Sequence, residues 1–483
     1  MFRNRFIALA VAVALAALLP TTAAAASAPH QLRAPVVLHV GQIDRQDIPP
    51  LPGSEPDTLV EPDVAVSPVN PLVAVAAAHD GRYPDGGAVD ISYAWTHDGG
   101  QTWHHAPLPG ITKSAGGTWD RASDPVIAFG PDGSVYISVL AISLDCPSGV
   151  TVSRSTDGGK TFGRPVLAHY SASCDYSDDK NFLVIDNGRY SPHRGRLYQF
   201  WTPFLSDPAP DGSSLQVVRW SDNHGRTWSP TVDLTEHGIF TQDSQPMIKP
   251  DGTIVDTYQD FGAAASHEGP ESRIGQDAAT HAAPTAAPPP ADKIVARTSH
   301  DGGATWSAPS TVTTSAGEGP AGIRCCLPSA SADPVTGRLY TSWISPASDA
   351  VMLSQSFDGK HWSAAVQVTK PAAGRDYINT DVAAYRGEVF VANSTRNTTI
   401  EDGRFVQQQL SVSFDGTHFA APIKLGRLSD LNYAAQAGGI FPGDYMGTAA
   451  TRGRVYAVWA RSSKPAKAGA TYHQVVFGAA LRS

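Results

Sequence analysis

Acidic and cationic side chains recur at one position of a repeating pattern in this chain. Short stretches open with polar residues and then become apolar, as in "EPDVAVSP" from Glu61, "ASDPVIAF" from Ala122 and "DDKNFLVI" from Asp178. The polar side chains at or near these openings are those of Glu61, Asp63, Arg121, Asp124, Asp178, Asp179, Lys180, Asp243, Gln245, Arg324, Arg375, Asp376, Asp381, Asp444 and Tyr445. Carboxyl groups brought together could titrate at unusual pH, hold a cation, or act as acid and base on a glycosidic bond.

A structural role is the alternative for each of these side chains, because polar residues at strand ends also satisfy backbone groups. For the whole set we favour a functional site, since many like charges in one place are costly unless something binds to them.

An Asp-Gly turn recurs six times between these stretches. It reads "THDGGQTW" from Thr96, "STDGGKTF" from Ser155, "SDNHGRTW" from Ser221, "SHDGGATW" from Ser299, "SFDGKHW" from Ser356 and "SFDGTHF" from Ser413. Glycine permits the positive φ of a tight hairpin, and the Asp oxygen can accept backbone N–H groups. Because Asn223 keeps the acceptor oxygen without the charge, we interpret the motif as a structural turn and not as a catalytic acid.

Each unit between the turns is typical of four short antiparallel strands, which is the pattern of a β-propeller blade. There are seven such units but six Asp-Gly turns, and the last unit, from Gly443, ends after three strands. The stretch "APVVLHVGQ" (Ala34–Gln42) can supply the missing strand. We therefore predict an all-β, seven-bladed propeller closed by this N-terminal strand. A six-bladed ring with an additional sheet is the alternative.

The predicted domain organisation follows from composition. Residues 1–26 have a basic start, an apolar run and small residues typical of a secretory signal peptide. Residues 27–60 form an N-terminal segment with the closing strand, and residues 61–483 form the propeller. Within it, residues 262–292 are rich in Ala and Pro, and we expect them to be disordered. We expect a secreted protein.

Charge and cysteine content narrow the function classes. The formal net charge of -9 disfavours non-specific binding to nucleic acids. Four cysteines in an exported chain are candidates for disulfides. Cys146 could pair with Cys174, and the adjacent Cys325 and Cys326 could form a vicinal disulfide or bond to separate partners. We expect no membrane insertion, a monomer, and no cofactor apart from a possible structural Ca²⁺.

The motif "S-x-D-x-G-x-T-W" resembles the Asp-box (BNR) repeat of the sialidase superfamily, and the resemblance extends from about Glu61 to the end of the chain. That superfamily contains exo-sialidases, other polysaccharide-cleaving enzymes and non-catalytic propellers. The resemblance implies that the Asp-boxes lie on the rim, away from the reaction. It also implies three arginines that clamp a substrate carboxylate, for which Arg121, Arg324 and Arg375 are the candidates. The family's Arg-Ile-Pro motif is absent, because Val60-Glu61-Pro62 stands in its place.

The resemblance further implies a tyrosine nucleophile activated by a glutamate, and an aspartate that acts as acid and base. Tyr445 or Tyr377 is the candidate nucleophile. Its partner is Glu318 or Glu61, and Asp124 is the candidate acid and base.

Two functions remain open at this point. One is a glycoside hydrolase, similar to exo-sialidases, that acts on a glycan or glycoconjugate at the mouth of the central channel. The other is a propeller that binds a glycan or a protein without turnover, which the missing Arg-Ile-Pro motif favours.

Overall fold

The computed structural model describes residues 34–174, 176–205, 214–263, 292–317 and 319–483. Within these residues the chain forms strands and three short 3-10 turns, at Lys113–Ala115, Glu401–Gly403 and Leu431–Tyr433, without any α-helix. The all-β prediction is confirmed. The expected signal peptide, Glu318 and nearly all of the Ala/Pro-rich segment lie outside the described residues. No helix of the described part is long and apolar enough to cross a bilayer.

The strands form antiparallel sheets of four. The first strand of the chain is β1 (Val36–Asp44). The next eight are β2 (Asp63–Val66), β3 (Ala74–Arg82), β4 (Ala88–Thr96), β5 (His104–Pro107), β6 (Arg121–Phe129), β7 (Val135–Ile142), β8 (Ser148–Ser155) and β9 (Val166–Ser171). They form one sheet that divides, at the single pairing of Ala88 with Ala122, into β2–β5 and β6–β9.

Four further sheets follow in chain order. The first two comprise β10 (Tyr176–Ile185), β11 (Leu197–Leu205), β12 (Val217–Ser221) and β13 (Val232–Asp233), and then β14 (Ile239–Ile248), β15 (Ile254–Ala263), β16 (Asp292–Ser299) and β17 (Ser310–Ala316). The third comprises β18 (Ser329–Ala332), β19 (Leu339–Ile344), β20 (Val351–Ser356) and β21 (Val366–Gln367). The fourth comprises β22 (Arg375–Tyr385), β23 (Glu388–Asn397), β24 (Phe405–Ser413) and β25 (Ile423–Asp430). In each of them consecutive strands are paired.

The last sheet combines both ends of the described chain. Its strands are β28 (Gly447–Thr451), β29 (Arg454–Ser462) and β30 (Gln474–Arg482), and β1 pairs antiparallel with β30. The two-stranded ribbon of β26 (Ala435–Gln436) and β27 (Ile440–Phe441) precedes it. Ile43 of β1 is buried against Leu59, Val64, Val458 and Val476, so β1 is held by apolar packing as well as by backbone pairing.

The first strands of the sheets contact one another in a cyclic order. β2 contacts β6, then β10, β14, β18, β22 and β28 follow, and β28 contacts β2. Residues of all seven line a central channel with an empty volume of about 2160 Å³, open solvent included. Because both faces of a sheet are covered in such an arrangement, strands such as β7, "VYISVLAI", are apolar and buried along their whole length.

The Asp-Gly turns are held by hydrogen bonds to the acid. Asp98 Oδ1 accepts the N–H groups of Gln101 (2.9 Å) and Thr102 (3.0 Å), and Asp98 Oδ2 accepts the Thr102 hydroxyl at 2.6 Å. Burial would raise the pKa of Asp98, but these hydrogen bonds outweigh it and lower the pKa to about 2. A Cβ on Gly100, whose φ is 83°, would lie 2.5 Å from the Cβ of Ala480. The turn therefore needs both its acid and its glycine for structural reasons.

Asn223 tests this interpretation within the same chain. Its Oδ1 accepts the N–H of Thr227 at 3.0 Å, and its Nδ2 donates to the Thr227 hydroxyl at 2.7 Å. The amide thus replaces the carboxylate without loss of the turn, as expected for a hydrogen-bonding role.

We expect Asp98→Ala to destabilise the protein and Asp98→Asn to leave it nearly unchanged. The alanine removes an acceptor of four hydrogen bonds, which costs about 1–3 kcal/mol in free energy of unfolding, whereas the asparagine can adopt the arrangement of Asn223. Urea denaturation of both variants measures the difference. Equal destabilisation by the two substitutions would show that the charge of Asp98 matters more than its hydrogen bonds.

Two disulfides are present. Cys146, between β7 and β8, is bonded to Cys174, between β9 and β10, and Cys325 is bonded to Cys326. These are two of the pairings considered from the sequence, and both are confirmed.

Candidate functional site

Backbone bulges near the middle of four inner strands carry polar residues. Pairing is interrupted at Asp124 in β6, Lys180 in β10, Asp243 in β14 and Asn379 in β22, and these residues have φ values of 49°, 46°, 67° and 53°. Glu61, which precedes β2, has a φ of 54°. A left-handed backbone conformation is unfavourable for residues other than glycine, and such conformations concentrate at functional sites. Bulges re-aim side chains, and here the same device recurs in successive sheets.

Several of these side chains meet in one cavity, which we call the hub cavity. Its empty volume is about 350 Å³, open solvent included. Its polar lining consists of Glu61, His79, Arg82, Ser123, Asp124, Asp179, Lys180, Gln242, Asp444 and Tyr445, and Leu327 and Phe441 contribute apolar surface. Side chains distant in sequence are thus brought together, as expected from the positions of the strand openings.

His79 lies between two carboxyl groups in the hub cavity. Its Nε2 is 3.2 Å from Glu61 Oε2 and 3.7 Å from Asp124 Oδ1. The same Nε2 accepts the backbone N–H of Asp124 at 2.8 Å, so the imidazole is neutral in this arrangement. Burial lowers the pKa of His79, in agreement with a neutral ring.

The three side chains have the donor types of a metal site, because one atom of each lies within 4.8 Å of the others. A metal would need the lone pair on Nε2 of His79, but that lone pair accepts the N–H of Asp124. The arrangement therefore fits a hydrogen-bonded acid–base group better than a metal centre.

Glu61 and Asp124 have opposite protonation preferences. Burial, with repulsion from Asp124 and Asp444, raises the pKa of Glu61 to about 8. Burial would also raise the pKa of Asp124, but the charge of Lys180 and the Ser123 hydroxyl are among the causes that bring it below the ordinary value. The Ser123 hydroxyl donates to Asp124 Oδ1 at 2.9 Å. At neutral pH the pair therefore consists of a carboxylic acid and a carboxylate, as acid–base catalysis by two carboxyl groups requires.

Lys180 and Tyr445 contact each other in the lining of the hub cavity. The Lys180 ammonium lies 3.6 Å from the centre of the Tyr445 ring and 3.7 Å from Asp243 Oδ1. Burial opposes its charge, but Asp243, Asp124 and Glu61 raise the pKa of Lys180 above the ordinary value. The Tyr445 hydroxyl is buried without a hydrogen-bond partner in the described structure, and burial raises its pKa well above 10. The phenol is therefore protonated in this arrangement.

Two arginines share one aromatic ring at the side of the hub cavity. The guanidinium groups of Arg82 and Arg324 lie 4.2 Å and 5.1 Å from the centre of the Phe441 ring. Burial and repulsion from Arg324 lower the pKa of Arg82 to about 10. Arg324 NH2 is 3.5 Å from Asp444 Oδ2, and Arg82 Nε is buried without a partner in the described structure. Two cations held this close favour an anionic group between them.

Hydrogen bonds position the segment that carries Arg324 and the vicinal disulfide. The backbone N–H groups of Arg324 and Leu327 donate to the carbonyls of Ile440 (3.0 Å) and Asp444 (3.1 Å). The N–H of Asn379 lies 3.4 Å from Cys326 Sγ. Backbone hydrogen bonds and the contact of Cys326 with β22 thus hold this segment beside the cavity.

The structure brings together some of the residues suggested by the sequence. Asp124 and Tyr445 line the hub cavity, and Arg324 lies beside it. Arg121 is held outside the lining by Asp85, to which its NH1 and NH2 donate at 2.8 and 3.2 Å.

Two further candidates lie elsewhere. Arg375 lines a separate depression with Asp349 and Thr398. Tyr377 is buried in an apolar cluster with Ile344 and Leu431. Glu318, outside the described residues, stays a prediction.

His79, Arg82, Ser123 and Phe441 were not among the sequence candidates. The signal for the first two was present in the β3 sequence "AVAAAHDGR", where three charged or titratable residues end a strand of small apolar ones. All nine residues of that strand are buried. A buried strand that ends in polar side chains indicates a site, because such groups require partners.

No family model matches the chain. A curated sialidase of Micromonospora viridifaciens is 28% identical in an alignment of 247 residues, and the match covers 42% of this chain and 35% of that protein. The match thus spans about a third of the length of the relative.

Solved structures with similar folds include two glycan-acting proteins. A leech intramolecular trans-sialidase matches with a TM-score of 0.47 and 12% identity. The match covers 82% of this chain and 70% of the trans-sialidase chain. An α-L-arabinanase of Penicillium chrysogenum has a TM-score of 0.47 and 14% identity and covers 81% of this chain and 99% of its own.

Proposed function

The chain is similar to sialidases. We propose that it is a glycoside hydrolase that cleaves a glycosidic bond in the hub cavity through Glu61 and Asp124. The observation that carries the proposal is the opposite protonation of these two carboxyl groups on either side of His79. The similarity to a curated sialidase supports a glycan as the substrate.

The proposed mechanism begins with protonation of the leaving oxygen. The Glu61 carboxyl group donates its proton to the glycosidic oxygen while Asp124 attacks the anomeric carbon, so that the C–O bond to the leaving group breaks as a glycosyl ester forms. Glu61, now a carboxylate, then takes a proton from the water that attacks the anomeric carbon and releases Asp124. One oxygen of each residue lies within 4.8 Å of the other, which is nearer to the separation of about 5–5.5 Å in retaining glycosidases than to that of about 6.5–9.5 Å in inverting ones and favours this two-step course with retention.

Neighbouring residues hold the two groups in these roles. The backbone N–H of Asp124 donates to His79, which fixes the imidazole beside both carboxyl groups. The positive charge of Lys180 stabilises the ionised form of Asp124. In this scheme the Tyr445 hydroxyl stays protonated because its pKa is raised, and the Tyr445 ring packs against the Lys180 ammonium.

We infer that the substrate carries a carboxylate. Arg82 and Arg324 approach the same Phe441 ring, and repulsion from Arg324 is one of the causes that lower the pKa of Arg82. An anionic sugar would relieve that repulsion and occupy the orphaned Nε of Arg82. Sialosides are therefore the first substrates to test, followed by uronides.

We also propose that the fold is a seven-bladed propeller closed by β1, and that the protein is exported. The cyclic contacts of the seven inner strands and the pairing of β1 with β30 support the first proposal. The leader-like residues 1–26 and the two disulfides support the second.

Hydrolysis by the mature protein and by Glu61→Gln tests the proposed function. The panel contains sialosides, uronides and neutral glycosides, and product release is measured by chromatography. We expect release from acidic substrates and a loss of about 10²–10⁴-fold in kcat for Glu61→Gln, because the amide cannot donate the proton. Asp301→Asn, in an Asp-Gly turn, is the matched control and retains activity. Release by Glu61→Gln at the wild-type rate would contradict the assignment.

The pH dependence of kcat/KM provides a separate prediction. Activity requires ionised Asp124 and protonated Glu61, so it falls on the acid side as Asp124 gains a proton, at a pH below the ordinary range of an Asp carboxyl group. On the alkaline side it falls near pH 8 as Glu61 loses its proton. A profile that keeps rising above pH 9 would exclude Glu61 as the acid.

A glycan-binding propeller without turnover is the second candidate. The unpartnered Tyr445 hydroxyl favours it, because no described group activates the tyrosine that the family uses as nucleophile. Saturable binding of a sialoside, weakened in Arg82→Lys and unaccompanied by release, would establish this alternative.

A further inference from the structure

The two-stranded ribbon of β26 and β27 lies outside the four-stranded sheets and carries Phe441. Its buried side chains, among them Ala435 and Phe441, pack against Val60, which directly precedes Glu61. Shortly after Phe441 the chain lines the hub cavity with Asp444. Phe441 itself contributes to that lining, so the ribbon is part of the wall of the candidate site.

Both arginines beside the hub cavity are hydrogen-bonded to the ribbon, one to each of its strands. The guanidinium group of Arg82 donates to the Gln436 carbonyl of β26 at 3.3 Å. The backbone N–H of Arg324 donates to the Ile440 carbonyl of β27 at 3.0 Å. Both guanidinium groups also lie near the Phe441 ring, which belongs to β27. The ribbon therefore fixes the positions of the two arginines relative to each other.

A buried glutamine holds the two strands of the ribbon. Gln474, the first residue of β30, is 1% exposed. Its Oε1 accepts the backbone N–H of Ala435 at 2.8 Å, and its Nε2 donates to the carbonyl of Phe441 at 3.4 Å. Because Ala435 and Phe441 are paired in the ribbon, one side chain is bonded to both strands. Gln474 is not part of the lining of the hub cavity, so its effect on a bound sugar is indirect.

Glu55 holds the ribbon from the other end of the chain. Its two carboxyl oxygens accept the backbone N–H of Gln436 at 3.1 and 3.2 Å. Its own backbone N–H donates to the carbonyl of Arg82 at 2.7 Å. Glu55 is buried and, like Gln474, lies outside the lining of the hub cavity. The backbone of Gln436 is thus bonded at its N–H to Glu55 and at its carbonyl to Arg82.

We propose that this ribbon makes the hub cavity selective for a sugar carboxylate, and that Gln474 and Glu55 are positioning residues that hold the ribbon in place. The inference rests on the proposed function, in which an acidic sugar occupies the hub cavity. Arginines recognise a carboxylate through hydrogen bonds of fixed geometry, so a small shift of the ribbon weakens that recognition. Among the described residues, no hydrogen bond joins the ribbon to the carboxyl groups of Glu61 or Asp124. The chemical step should therefore respond less than binding.

Binding of sialic acid and of its methyl ester tests the inference, because the ester lacks the negative charge of the carboxylate. Calorimetry gives the dissociation constant of each ligand for the wild type, Gln474→Leu and Glu55→Leu. We expect the wild type to prefer the acid. Both variants should lose about tenfold or more of that preference, since each loses its hydrogen bonds to the ribbon. Glu55→Gln, whose amide oxygen can still accept the N–H of Gln436, should retain the preference.

Steady-state kinetics on an acidic glycoside separate a shifted ribbon from partial unfolding. Gln474→Leu should raise KM about tenfold and change kcat by less than about threefold, whereas a smaller folded fraction would lower kcat and leave KM unchanged. Gln407→Leu is the matched control, because Gln407 also donates to two backbone carbonyls, those of Gln408 (3.0 Å) and Leu425 (3.1 Å), in the sheet of β22–β25. This control should keep the KM of the wild type.

The inference fails if folded Gln474→Leu and Glu55→Leu keep the preference of the wild type for the acid over the ester. It fails equally if the wild type binds the two ligands with the same affinity or binds neither. If Gln474→Leu does not fold, the comparison of Glu55→Leu with Glu55→Gln decides. The expected changes in binding without any hydrolysis by the wild type would refute the proposed hydrolase and leave the assignment of the ribbon in place.

Discussion

Asp124→Asn is expected to lower kcat on an acidic glycoside by about 10⁴-fold or more, as loss of a covalent nucleophile does in other enzymes. The amide nitrogen cannot form the glycosyl ester, while the size of the side chain is unchanged. Asp124 also adopts a φ of 49°, a conformation that asparagine tolerates, so the bulge of β6 should persist. Steady-state kinetics on the best substrate of the panel measure the change.

Asp243→Asn is the matched control for this substitution. Asp243 has the same left-handed position in β14 and also lies beside Lys180, but it does not line the hub cavity. We expect a loss well below that of Asp124→Asn. Equal losses in the two variants would indicate that the charge around Lys180 matters, and not a nucleophile at Asp124.

Ile43→Ala is expected to lower the free energy of unfolding by about 2–5 kcal/mol, the range for truncation of a buried Ile in a core. Ile43 is 2% exposed and packs against residues from both ends of the chain, among them Leu59 and Val476. The effect is expected because the N-terminal strand completes the last sheet through its pairing with β30. Chemical denaturation with a two-state fit provides the value.

Leu38→Ala on the same strand is the control. Leu38 is 39% exposed, so removal of its side chain should change stability by less than about 0.5 kcal/mol. If both substitutions have the same small effect, β1 is dispensable and the proposal of a ring closed by this strand is wrong.

The sequence predicted local structure well because turns and strand patterns are local. The Asp-Gly turns and the four-stranded units required only glycine positions and alternating apolar residues. The orphaned edge of the last unit indicated its partner, since an unpaired edge is unfavourable.

Which side chains face the hub could not be predicted to the residue. A bulge inserts one residue, so the side chains after it point to the opposite face of the sheet from the one that simple alternation predicts. The position of the bulge depends on pairing with the next strand. Arg375 opens β22, but the bulge of that strand is at Asn379, so Asn379 occupies the position equivalent to Asp124. Arg121 likewise precedes the bulge of β6 and pairs with Asp85. His79 and Arg82 lie at the end of β3, the second strand of its sheet, and not at the opening of an inner strand.

Covalent trapping tests the central claim most directly. An activated fluorinated glycoside of the preferred acidic sugar forms a glycosyl-enzyme that breaks down slowly, and peptide mass spectrometry then identifies the labelled residue. The proposed mechanism predicts a label on Asp124 and none in Asp124→Asn. A label on Tyr445 would contradict it and show that the buried phenol is the nucleophile.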